Sequence, residues 1–286
     1  MKYLILYNPA SDNGRGAEEA AAAEKLLGGA EVIKQDITTI DKEAFILKNT
    51  TPDDTVLICG GDGTLNRFVN SVDVAELERS IDFYATGTGN DFFRDLGLQK
   101  GNIARDINKY ITNLPKVTVK GKTYRFFNGV GFGIHGYCCE VGDRMRAAGN
   151  TKINYAGIAI KGLLFRFKPA NAAITIDGKT TEYQKVWLAP TMKGRYYGGG
   201  MIPVPSQDRS DAEGRVSLFV WHGSGKLKTL SIFPGIFKGE HLKHGECCKS
   251  FTGKNIHVKF DRPCALQIDG ETIRNVSSYT AKAPQK

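Results

Sequence analysis

Apolar and polar positions in the first hundred residues come in blocks. Lys2–Tyr7 is a run of Leu, Ile and Tyr that stops at Asn8-Pro9, and Thr55–Cys59 is apolar throughout. Continuous short apolar runs bounded by turn residues suit strands buried on both faces, as in parallel sheets. Between them lies Ala17–Leu27, dense in Ala, Glu, Lys and Leu and closed by Gly28-Gly29, which predicts a helix. Glu31–Asp36 and Ile81–Ala85 read as further strands, and Asp41–Asn49 and Leu65–Val72 as helices. This alternation predicts a parallel α/β sheet.

The pattern changes near Asn113-Leu114-Pro115. Strand-like runs dominate beyond it: Thr123–Asn128, Ala173–Ile176, Lys185–Ala189, Val216–Trp221, Ile256–Phe260 and Ala265–Ile268. Lys120-Gly121-Lys122 and Asp177-Gly178 read as hairpin turns. Two helical stretches interrupt the run, Asn154–Phe167 and Lys226–Gly239, the second with Pro234 inside it. The expected division is an α/β nucleotide-binding domain over 1–116, completed by about 275–286, and a β-rich domain over 117–274. No internal repeat and no low-complexity tract is present.

The sharpest chemical signal follows the apolar run Thr55–Cys59: Gly60-Gly61-Asp62-Gly63-Thr64-Leu65-Asn66. A strand entering a Gly-rich turn that opens a helix lets backbone N–H groups approach a phosphate, and the helix adds its positive end. Asp62 is the odd member, since a carboxylate repels phosphate; it fits if it holds a metal or orients an attacking hydroxyl. A plain Asx turn would also account for Gly-Gly-Asp-Gly taken alone. The P-loop pattern Gly-x4-Gly-Lys-Ser/Thr is absent. Gly87-Thr88-Gly89-Asn90-Asp91 repeats the arrangement after the fourth strand, with Asp91 as a second carboxylate. Two such turns at adjacent strand ends share the crevice where open α/β sheets bind ligands.

These motifs, with Asn8-Pro9-x4-Gly14-x-Gly16 ahead of them, resemble the diacylglycerol kinase catalytic family, which includes bacterial lipid kinases and is similar to sphingosine and ceramide kinases. The resemblance extends through Phe127-Asn128-Gly129-Val130-Gly131-Phe132-Gly133, Gly198-Gly199-Gly200-Met201-Ile202-Pro203, Lys238-Gly239-Glu240-His241 and Gln267-Ile268-Asp269-Gly270-Glu271. It implies an α/β domain like that of NAD kinases and phosphofructokinases plus a C-terminal β-sandwich, with the active site in the cleft between them. It implies ATP as phosphoryl donor, Mg2+ as cofactor and a lipid alcohol such as diacylglycerol as acceptor. The ATP contacts it implies are Asn8, Pro9, Gly60, Gly61, Asp62, Gly63, Thr64, Leu65, Asn66, Arg67, Gly87 and Thr88, with Thr38 at the end of the second strand. Glu271 matches the residue assigned as proton acceptor, and Asp269 beside it shares or holds that role; Asp62 and Asp91 complete the catalytic set. Without the family, Asp269-Gly270-Glu271 reads as a hairpin turn.

The chain departs from the family at three places. Arg67 stands where many relatives carry an acid, and Thr86 where Pro is common. The family's structural Mg2+ sits near an Asp-Gly step after the triple-Gly strand. Here the stretch reads Ser206-Gln207-Asp208-Arg209-Ser210-Asp211-Ala212-Glu213-Gly214-Arg215, leaving Asp211, Glu213 and the backbone of Arg215 as the candidate ligands. NAD kinase shares Gly-Gly-Asp-Gly-Thr and is the competing enzyme reading, and a non-catalytic nucleotide- or lipid-binding regulator is the other.

Composition narrows the partners. The 286 residues carry a net charge of +9, which suits nucleotide phosphates or an anionic membrane surface. Neither a zinc finger nor a basic heptad region is present, so nucleic acid ranks last. No stretch approaches the ~18 apolar residues of a membrane span. Met1–Pro9 reads as a first strand and not a signal peptide, so the protein is expected in the cytoplasm, peripheral to the inner face of the membrane. Asn154–Lys168 and Lys226–Phe233, apolar with basic punctuation, are expected on that surface or in the core. The six cysteines fit neither a zinc spacing nor a disulfide framework. A homodimer is an open expectation.

Overall fold

The computed structural model describes residues 2–87, 89–150 and 153–284. The chain divides into two units, residues 1–114 and 115–286.

The first unit is built on five strands: β1 (Lys2–Tyr7), β2 (Glu31–Asp36), β3 (Thr55–Gly60), β4 (Ser80–Ala85) and the short β5 (Ile103–Ala104). Their order is β2-β1-β3-β4-β5, parallel except for β5. Alternate side chains of the sheet pack to opposite sides. Tyr3, Ile5, Leu57, Cys59 and Tyr84 cluster with Ala20 and Ala23 of the helix Gly16–Lys25. The intervening Leu4, Leu6, Val56, Ile58 and Phe83 are also fully buried. Both faces are therefore covered, and this is why these strands read as unbroken apolar runs. The helix Asp62–Ser71 turns Leu65, Phe68 and Val69 inward with no exposed surface. Chain order reverses at β1, which has β2 on one side and β3 on the other, so the strand ends of β1 and β3 form a topological switch point.

The second unit is antiparallel. Its strands are β6 (Lys116–Val119), β7 (Lys122–Arg125), β8 (Gly129–Gly133), β9 (Ala170–Ile176), β10 (Lys179–Val186), β11 (Leu188–Met192), β12 (Val216–Trp221), β13 (Cys248–Gly253), β14 (Asn255–Ile268) and β15 (Glu271–Lys282). They run β13-β12-β11-β8-β14-β15-β6-β7, with β9 on β14 and β10 on β9. β14 reaches three partners because its register shifts between Lys259 and Leu266. Three two-residue turns, Lys120-Gly121, Asp177-Gly178 and Asp269-Gly270, have positive φ at both positions, the backbone that matches the twist of a tight hairpin.

Several elements differ from the sequence expectation. Residues 275–282, expected to complete the first domain, lie in the second unit. They continue β15, which pairs with β14 and, at 280–282, with β6, and Val276, Tyr279 and Ala281 are buried in the β-sheet core. The sequence also hides the helix Ile134–Ala147, whose Gly136, Cys138, Cys139 and Gly142 have low helix propensity. Asn154–Phe167 divides into an α-helix, Tyr155–Lys161, and a π-turn, Gly162–Arg166. Lys226–Gly239 divides at Phe233-Pro234 into an α-helix, Lys226–Ile232, and a 3-10 helix, Phe233–Phe237, because Pro234 has no N–H for the i−4 bond. Among the described residues, no helix is long and apolar enough to cross a membrane.

The glycines of β8 are a packing requirement. A Cβ on Gly131 would lie 2.4 Å from Pro190 Cα on the neighbouring β11. Gly131→Ala is expected to cost about 1–3 kcal/mol and lower the thermal midpoint by roughly 3–10 °C. An unchanged midpoint in calorimetry would contradict this packing.

Candidate active site

The candidate nucleotide site lies at the C-terminal edge of the parallel sheet, where β1, β3 and β4 each end in a motif. Three contacts lock these motifs together. The Asn8 side-chain amide, just past β1, donates to Thr64 Oγ1 at 3.0 Å. The Thr86 N–H, just past β4, donates to the Gly60 carbonyl at 2.9 Å. The Asp91 N–H donates to Asp62 Oδ2 at 2.7 Å, so one carboxylate joins the two Gly-rich turns.

Local chemistry explains each residue. Asn8 is buried; its Oδ1 accepts from the Ala10 N–H at 3.0 Å and its carbonyl accepts from Ser11. A Cβ on Gly16 would lie 1.9 Å from the Asn8 carbonyl oxygen, so only glycine admits this approach, and the Pro9 carbonyl accepts from the Gly16 N–H. Gly60 faces the same constraint, since a Cβ there would lie 2.5 Å from Thr64 Cβ. Gly61 caps the helix Asp62–Ser71, its carbonyl accepting from Thr64 and Leu65. Gly87 has a φ of 81° and Asn90 one of 34°, and the Asn90 amide holds the Gly87 carbonyl at 3.1 Å. Thr88 lies outside the described residues.

The expected ATP contacts thus separate by position. Gly61, Asp62 and Gly63 are half-buried at the head of the helix, and Arg67 is exposed one turn on. Thr38 is exposed beyond β2, its N–H and hydroxyl both on Asp36 Oδ1. Thr64 and Asn66 are buried, and Asp91 is buried beside Asp62. Leu65 has its side chain in the core, and its N–H donates to the Gly61 carbonyl.

In the second unit, Asp269 and Glu271 flank the β14–β15 turn. The Asp269 carboxylate is buried and accepts three backbone N–H groups, from Phe127 at 2.8 Å, Asn128 at 2.9 Å and Gly129 at 2.8 Å. The segment it holds is also gripped by Arg209, which is buried and donates to the Phe127 carbonyl and to Asn128 Oδ1. The Asn128 carbonyl accepts from the N–H groups of Lys193 and Gly194. Burial, with Arg209 nearby, pushes the Lys193 ammonium below its ordinary range. Glu271 is half-buried at the first position of β15. The strand it opens packs against the helix Ile134–Ala147, where burial pushes the Cys139 thiol up to about 12. Sequence reasoning missed Arg209 and Lys193, because an Arg or Lys in a polar loop carries the same signal as a solvated one.

The expected metal ligands do not fit a cation. Asp211 Oδ1 accepts from the Glu213 and Arg215 N–H groups, and its Oδ2 accepts from Arg215 Nε at 3.1 Å and Nη2 at 2.9 Å. The Arg215 guanidinium, through these bonds, holds the Asp211 carboxyl below the usual range. Glu213 faces Lys254 at 3.3 Å and Arg215 at 3.9 Å, and the Arg215 carbonyl accepts from Gln207. Both Asp211 oxygens, Glu213 Oε2 and the Arg215 carbonyl are thus already met by a positive or N–H group. Among the described residues, no cluster of three or more metal-capable side chains is present.

With this geometry in hand, residues 2–120 match the diacylglycerol kinase catalytic domain and residues 128–286 the YegS C-terminal NAD kinase beta sandwich-like domain. The chain belongs to the diacylglycerol kinase catalytic-domain family. It is 28% identical over 272 residues to a diacylglycerol kinase of Mycobacterium tuberculosis, covering 90% of this chain and 85% of that one. Its fold matches a diacylglycerol kinase structure from Bacillus anthracis str. Sterne with a TM-score of 0.62 at 20% identity, over 99% of this chain and 93% of that one. Membership makes the protein a lipid kinase, a phosphotransferase with an alcohol acceptor. The α/β and β-sandwich architecture agrees with the family.

For this diacylglycerol kinase family member, Mg2+ added without nucleotide is expected to leave the thermal midpoint unchanged, because Arg215 fills the Asp211 site. Arg215→Ala should lower the midpoint and make it rise again with millimolar Mg2+. A Mg2+-dependent rise in the unaltered protein would show that a divalent ion displaces the guanidinium.

Proposed function

We propose that the protein transfers the γ-phosphoryl group of ATP to the hydroxyl of diacylglycerol or a related lipid alcohol, using Mg2+. The observation that carries this reading is the Asp62–Asp91 bond. It brings two Gly-rich turns and a helix N-terminus to one edge of the sheet, the arrangement that binds nucleotide phosphates. Gly61 and Gly63 leave the backbone open to phosphate oxygens, and Thr64, anchored by Asn8, fixes the turn. Mg2+ bound with the nucleotide would be held by Asp62 with Asp91 beside it, hard carboxylate oxygens suited to it, and would neutralise phosphate charge.

Glu271 is the proton acceptor in this reading. Asp269 already accepts three backbone N–H bonds, so its carboxylate serves to hold the 127–129 segment and the hairpin that starts at Glu271. Glu271 takes the acceptor's hydroxyl proton as that oxygen bonds to the γ-phosphorus and the bond to ADP breaks.

The test is transfer of label from γ-labelled ATP to diacylglycerol in mixed micelles, with phosphatidic acid as expected product. Asp62→Ala should abolish transfer; full activity would remove the turn from the site. Glu271→Gln should lower kcat by ~10²–10⁴-fold with the KM for ATP unchanged. Unaltered turnover would reject Glu271 as the base.

A further inference from the structure

The second unit carries an exposed apolar patch that neither the fold nor the site uses. Phe165 is 75% exposed and Leu227 79% exposed, and Ile160 is 45% exposed. They belong to three adjoining elements, with Ile160 in the helix Tyr155–Lys161 that runs into the π-turn. The π-turn Gly162–Arg166 packs on the helix Lys226–Ile232, and Lys226 Nζ donates to the Leu164 carbonyl at 3.0 Å. The inner faces of the same elements hold the fold: Leu163, Phe167, Ile232 and Phe233 lie in one buried cluster. Packing therefore fixes these helices, and the outward Phe and Leu are surplus to it.

Charge along the two segments that carry the patch has one sign. Residues 144–176 contain six Lys or Arg and no Asp or Glu, and residues 214–239 contain four Lys or Arg and no Asp or Glu. Lys161, Arg166, Lys168 and Lys226 are exposed around Ile160, Phe165 and Leu227. Lys228 differs, because it is paired with Glu246 at 2.7 Å. Large apolar side chains ringed by unopposed cations are complementary to a surface that is apolar below and anionic above. A water-exposed patch of this kind is not the norm for a monomeric protein.

We infer that Phe165, Leu227 and Ile160, with Lys161, Arg166, Lys168 and Lys226 around them, are the face that docks on an anionic phospholipid bilayer. The inference deepens the lipid kinase reading by naming how the chain meets a water-insoluble acceptor. Phe165 and Leu227 enter the headgroup–acyl boundary, and the cations meet lipid phosphates. Docking is thereby graded by the anionic lipid content of the membrane and weakened by salt.

The experiment is co-sedimentation of the full chain, without ATP, with vesicles of phosphatidylcholine alone or with roughly a third phosphatidylglycerol, enough to give an anionic surface. Binding is expected to the anionic vesicles and to fall steeply with salt. Phe165→Ser/Leu227→Ser should weaken it more than tenfold, and Lys161→Glu/Arg166→Glu at least as much, both with the thermal midpoint preserved. Turnover on a short-chain, monomeric diacylglycerol should be unchanged in the Ser pair. Retained vesicle binding in both pairs, or equal binding of the unaltered protein to neutral and anionic vesicles, would overturn the inference. So would a dimer in dilute solution that the Ser pair converts to a monomer while vesicle binding persists. If vesicle binding behaves as expected but no lipid is phosphorylated, the kinase reading fails and the docking face stands.

Discussion

One hydrogen bond organises the nucleotide side of this protein: the Asp62 carboxylate receiving the Asp91 N–H at 2.7 Å. Each Gly-rich turn on its own is a flexible stretch that could serve as a simple connection. A charge-assisted bond joins the two into one edge, because Asp62 begins the helix Asp62–Ser71 and Asp91 the short helix Asp91–Asp95. Asn8 fixes the same edge from the third strand end through Thr64. The close approach of Gly60 to Thr64, and of Gly16 to Asn8, sets how tightly these parts can sit. A carboxylate between two Gly-rich turns thus has a structural duty before any chemical one.

Much of this was legible in the sequence because its physical causes are local. A parallel strand buried on both faces must be apolar along its length, so β1, β3 and β4 announce themselves. Turns that need positive φ select Asp-Gly or Lys-Gly, so the hairpins at 120–121 and 177–178 could be placed from two residues each. The helix Ile134–Ala147 could not be placed, because tertiary packing overrides its weak propensity: Gly136 is required where the Ala265 carbonyl approaches. β15 is hidden for a related reason. Its residues alternate only partly, and its pairing with β14 and β6 is decided more than a hundred residues away in the case of β6.

The site shows the same division. Motif glycines and acids stand out by residue type, whereas the partners of Asp269 do not. Three of those partners are main-chain N–H groups of Phe127, Asn128 and Gly129, which have no sequence signature. Arg209 and Arg215 were legible as residues but not as roles, since a guanidinium in a loop reads as solvated until a buried carbonyl or carboxylate is found opposite it.

The Arg215–Asp211 pair has a consequence for how the second unit depends on its surroundings. A divalent ion is a component borrowed from the medium, and a loop organised by it inherits every fluctuation in ion supply. A guanidinium is permanently charged and covalently part of the chain. Here the loop from Asp208 to Arg215 is organised by a part the gene itself encodes. Its order is therefore inherited with the sequence, carried by a charge that no change in the medium removes.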